Sequence, residues 1–196
     1  MGRGEPNKNQ LGAERVHALW GYELGSQALS AGRRQNCKTV VNWCSMYPAR
    51  LAKIIQLFES LPEDERRETL VAYADSAKNQ EPREGERFDL VDVRKDEECT
   101  DTIGVYLHVD ENGKAHIRMT LGPEVQTLTR SMTAILCKGL EGSTPREILD
   151  LPSDFVTRIV GSELVRIRSQ TVYYVLTRIK SICKVWLDRQ RLAQVA

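Results

Sequence analysis

The sequence predicts an α+β fold, a small three-stranded antiparallel sheet with helices packed on one face. Apolar residues recur at helical spacing across residues 51–61 and again across 70–77. Strict alternation follows in two runs, residues 103–109 and 115–121, joined by Glu111-Asn112-Gly113. Helical spacing then returns and lasts to Trp186. The order is two helices, three strands and four helices, and that segregation is the mark of an α+β domain.

The first helix starts at Ala49 and offers Leu51, Ile54, Ile55, Leu57, Phe58 and Leu61 as its apolar stripe. Pro62 stops it. Glu63, Asp64 and Glu65 then place acid in the first turn of a second helix, where the helix dipole favours it. That helix carries Leu70, Val71, Tyr73, Ala74 and Ala77 as its apolar positions. A loop with Pro82 and Gly85 leads to a short strand at Phe88, Leu90 and Val91, and a charged loop follows. In the next two strands, a three-residue turn with Gly113 in the left-handed position pairs 109 with 115, 107 with 117 and 105 with 119. Every apolar residue then shares one face, and His108 stands opposite His116 on the other. Two histidines fall short of a metal site, which needs three or four ligands.

Gly122-Pro123 ends the sheet, and Val125, Leu128, Met132, Ile135, Leu136 and Leu140 mark the following helix. Thr144, Pro145 and Glu147 are a helix start: cap, first-turn proline and capping-box acid. A short helix from Ser153-Asp154-Phe155 ends near Gly161. The last helix runs from about Ser169 with Val172, Val175, Leu176, Ile179, Ile182, Cys183 and Trp186 on one face. Residues 46–196 form this domain. Residues 1–45, rich in Gly, Ser, Asn and Gln, read as a poorly ordered extension, or as sequence upstream of a natural start at Met46.

Composition narrows the function. The 196 residues carry 28 basic and 27 acidic side chains, so no global field selects nucleic acid or a membrane surface as partner. No apolar run reaches the roughly 18 residues a membrane span needs. Five cysteines, at 37, 44, 99, 137 and 183, form neither an even framework nor a C-x-x-C pair, and the expected compartment is the reducing cytoplasm. The three histidines lie away from the cysteines in sequence, so a zinc site of the usual spacing is not expected. Cys137 and Cys183 fall on or beside apolar helix faces and read as core residues.

Cys99 differs. It ends the charged loop and immediately precedes the longer strand, which holds a thiol near the surface and in position. Asp96, Glu97, Glu98 and Asp101 crowd it, and negative neighbours disfavour the thiolate. Either these acids keep the thiol quiet until a partner docks or they are only a solvated loop; Arg94, Lys95 and Arg168 can offset them within the chain.

From Leu51 to about Leu187 the sequence resembles the SufE family, sulfur-acceptor proteins that partner cysteine desulfurases. The order of elements matches. So does the stretch Lys138-Gly139-Leu140, Gly142, Thr144-Pro145, Glu147-Ile148-Leu149, which is similar to the family's KGL…G-x-T-P-x-E-I-L segment. The family's active cysteine sits between the first and second strands, as Cys99 does. Many members carry Gly-Cys-x-Ser-Gln-Val-Trp there; Glu98-Cys99-Thr100-Asp101 is closer to the Glu-Cys form of a divergent branch. Arg168-Ser169 occupies the place of the Ser-Arg pair before the family's final helix.

The resemblance implies that Cys99 takes persulfide sulfur from a cysteine desulfurase, a pyridoxal phosphate enzyme, and relays it to an iron–sulfur scaffold complex. This chain would then be a sulfur carrier and desulfurase activator, not a stand-alone enzyme. Glu98, Asp101 and Arg168 would contact the partner, and the chain itself would need no cofactor. Two other readings stay open: a metal or Fe–S scaffold of related fold, and a degenerate member that binds the desulfurase without transferring sulfur.

Overall fold

The computed structural model describes residues 46–95 and 101–195. Within them lie α1 (Ala49–Ser60), α2 (Glu63–Asp75), a 3₁₀ turn (Ser76–Gln80), β1 (Leu90–Lys95), β2 (Thr102–Val109), β3 (Ala115–Leu121), α3 (Thr127–Leu140), α4 (Pro145–Asp150), α5 (Phe155–Val160) and α6 (Ser162–Val195). The expected architecture is present. The sheet is antiparallel in the order β1-β2-β3.

The β2–β3 register is the expected one, with Val109 opposite Ala115, Leu107 opposite Ile117 and Val105 opposite Met119. Gly113 has φ +73°, the conformation the turn demands and a side chain resists. The shared face of Ile103, Val105, Leu107, Ala115, Ile117 and Met119 is buried. At about 1.5–3 kcal/mol per large apolar side chain, this face is a principal source of stability. The opposite face is open at β1, where Val91 and Val93 are exposed.

Helix α3 is the centre of the helical layer. It packs on α1, α2, α6 and β3, and is buried almost throughout. Small residues let its neighbours approach. A Cβ on Gly139 would lie 2.9 Å from Leu51 Cδ1, so this glycine sets how close α1 can come. Ser131 donates to the Leu70 carbonyl at 2.6 Å and ties α3 to α2. The expected capping box begins α4: the Glu147 N–H donates to Thr144 Oγ1 and the Thr144 N–H to Glu147 Oε2.

Val71 is 51% exposed, because Leu70, Tyr73, Ala74 and Ala77 already complete the buried stripe and position 71 falls outside it. Two local expectations are corrected. β1 is longer than its apolar residues imply. It begins at Leu90, after Phe88, and continues to Lys95, with Arg94 opposite Ile103 and Lys95 opposite Thr102. Backbone pairing is indifferent to side-chain polarity, so charged residues extended the strand where a loop was expected. The last helix begins at Ser162, well before Ser169, with a break at Arg168 (φ −129°, ψ 33°). Its first segment exposes Ser162, Glu163, Arg166 and Ile167 and therefore has no apolar stripe to read.

Candidate functional site: the stem of the β1–β2 hairpin

The Lys95–Thr102 pair closes the hairpin ladder. Glu98 and Cys99 belong to the connection between these residues and lie outside the described residues. The described part of the site is therefore the stem that carries them.

Asp101 stands at its base. One carboxylate oxygen accepts from the Thr102 N–H at 2.6 Å and the other from the Glu124 N–H at 2.8 Å. Those two bonds, the Glu124 one foremost, hold its carboxyl below the usual range, with Lys95 and Arg130 adding positive charge. Asp101 is thus an anion at neutral pH, and its charge is spent partly on backbone. Next to it, the Gly122 N–H donates to the Thr102 carbonyl at 3.0 Å. Arg130 closes the same turn by donating to the carbonyls of Gly122, Pro123 and Val125 at 2.9–3.1 Å. The stem is therefore fastened to the segment between β3 and α3.

A second fastening lies beneath the sheet. Arg178 of α6 is 1% exposed. Its guanidinium meets the Asp92 carboxylate at 2.9 Å and donates to the carbonyls of Asp92 at 3.0 Å and Ile103 at 3.4 Å. It also donates to the Tyr174 hydroxyl at 2.7 Å. One side chain thus bridges α6 to both strands of the hairpin. Sequence reasoning missed Arg178, Asp92 and Arg130. The signal for the first was present: Arg178 falls within the stripe of Val175, Ile179 and Ile182, where a charge needs a buried partner. Asp92 follows Leu90 at strand period and faces the same way.

Arg168 is exposed at the break in α6, and among the described residues its side chain has no hydrogen-bond or ion-pair partner. Cys137 and Cys183 are buried, and burial pushes both thiols up to about 12. The cross-strand histidines do face each other, with ring centroids 5.9 Å apart. Carboxylates claim them both: His108 meets Asp89 at 3.1 Å, and His116 meets Glu141 at 2.7 Å and Asp110 at 3.4 Å. Among the described residues no group of three or more His, Cys, Asp or Glu is arranged to hold a metal ion.

The described residues thus form an α+β domain, with Cys99 in the sequence that connects its first two strands. A family model for SufE, described as an Fe-S metabolism associated domain, matches residues 52–183, from within α1 to within α6. The chain belongs to the SufE family, and this associates it with iron–sulfur metabolism. Among solved structures, the solution structure of a hypothetical protein from Thermus thermophilus is similar, with a TM-score of 0.55 at 25% identity. The match covers 73% of this chain and 99% of that one. No curated protein matches the chain at a significant level. Among the described residues no helix is long and apolar enough to cross a membrane.

Proposed function

We propose that this protein is a sulfur acceptor that takes persulfide sulfur from a cysteine desulfurase on Cys99 and relays it to iron–sulfur cluster assembly. Membership of the SufE family carries the reading. The position of Cys99 between the paired residues Lys95 and Thr102, on a stem fastened from both sides, supports it. So does the state of Cys137 and Cys183, whose buried thiols are unavailable as thiolates near neutral pH.

In the transfer the Cys99 thiolate attacks the outer sulfur of the donor's persulfide. A new S–S bond forms on Cys99, the donor's S–S bond breaks, and the electron pair leaves on the donor's cysteine as a thiolate. No external oxidant is consumed. The acids that neighbour Cys99 in sequence, Glu98 and Asp101 among them, disfavour its thiolate until basic groups of the desulfurase offset them. Arg168, exposed at the helix break, offers a cation to the same partner. The protein needs no cofactor for this role, and the cytoplasm provides the reducing setting.

The test is incubation with a desulfurase and ³⁵S-cysteine, followed by non-reducing separation and peptide mapping. Label on the Cys99 peptide, lost in Cys99→Ser together with desulfurase stimulation, is the expected result. Stimulation that survives in Cys99→Ser would instead make the chain a binding activator without sulfur transfer.

A further inference from the structure

We infer that Arg178 is a positioning residue for sulfur transfer, registering the Cys99 hairpin against helix α6 and its Arg168 break; this rests on the sulfur-acceptor reading above. A buried guanidinium is costly to desolvate and stays only where its donors are met. Here they are met by groups on two different strands and on its own helix. Asp92 supplies a carboxylate and a carbonyl from β1, Ile103 a carbonyl from β2, and Tyr174 a hydroxyl from one helical turn earlier. The apolar stripe of α6 could be completed by leucine or methionine at this position, and packing alone does not call for a charge. What the guanidinium adds is direction. Its planar fork sets the sliding and tilt of α6 along the hairpin, which apolar contacts leave loose.

The consequence follows from connectivity. β1 and β2 lead into the connection that bears Glu98 and Cys99, and α6 bears Arg168. A desulfurase that engages the acidic loop and Arg168 together needs both in fixed relation. If the clamp loosens, each docking event must first order the two parts against each other, which weakens productive encounter more than it slows the chemistry.

The experiment uses the full-length protein with a cysteine desulfurase, comparing wild type, Arg178→Lys and Tyr174→Phe. Three quantities are measured: the thermal midpoint, the kcat and KM of stimulated desulfuration against acceptor concentration, and the alkylation rate of Cys99 by iodoacetamide. Arg178→Lys keeps the charge but not the fork. It is expected to raise KM about tenfold with kcat changed less than about twofold, while alkylation of Cys99 stays within about twofold of wild type. Tyr174→Phe keeps Arg178 and its strand contacts, and is expected to raise KM by a smaller factor, about threefold. It decides the matter if Arg178→Lys does not fold. Unchanged KM in folded variants would overturn the inference. So would KM and alkylation moving by the same factor, the signature of a merely loosened fold. Wild type that stimulates or labels nowhere through Cys99 would overturn the sulfur-acceptor reading itself, and the positioning role with it.

Discussion

A Cβ on Gly122 would collide with Asp101 Oδ2. The carboxylate at the base of the Cys99 hairpin occupies the space that a side chain at 122 would take. The glycine is needed for this approach, as its backbone angles are not in the left-handed region.

Gly122→Ala is therefore expected to push Asp101 away from the Glu124 N–H and to destabilise the fold by about 1–2 kcal/mol, an ordinary cost for a substitution that forces a close contact apart. Chemical denaturation measures it. Repeating the substitution in an Asp101→Ala background supplies the control. The cost should largely vanish there, and an undiminished cost would show that the clash is with something else.

His116 joins three parts of the molecule: its own strand, the β2–β3 turn through Asp110 and the end of α3 through Glu141. The Glu141 bond raises its pKa above the usual histidine value. Burial opposes this, and Asp110 adds to the rise. His108 faces it across the strands, and Arg118 shares Glu141 at 3.6 Å. A group with a raised folded-state pKa contributes stability that is complete below its unfolded value, about 6.5, and is lost as pH rises through the folded value. The midpoint gap between wild type and His116→Gln should thus be largest near pH 6 and shrink toward pH 8.5 (both values approximate). A gap independent of pH over that window would rule the linkage out.

Cys137 and Cys183, with their thiols raised to about 12 by burial, should resist a water-soluble thiol reagent in the native protein and react only after denaturation. Mass spectrometry of the alkylated protein reads this directly. Native-state labelling of either would mean that the helical layer opens more readily than its packing implies.

Much of the fold is legible because its signals are local. The Thr144–Glu147 capping box, the left-handed Gly113 and the β2–β3 alternation are each written within a few neighbouring residues, and each appears where expected. The segment 162–167 was not legible, since an exposed helix carries no stripe. Charged residues likewise concealed the far end of β1.

By itself, then, the sequence determined the class of fold, the register of its central hairpin and the resemblance to SufE, which made Cys99 the expected site, because each rests on periodicity, turn chemistry or the order of residues along the chain. Only the tertiary structure revealed what holds the hairpin that bears this cysteine. Arg178 meets Asp92 across 86 steps of chain, and Asp101 meets the backbone at Glu124 across 23. No local pattern encodes such pairs. They form because a buried guanidinium must find its acceptors inside the protein, and because a missing side chain at Gly122 leaves room for a carboxylate.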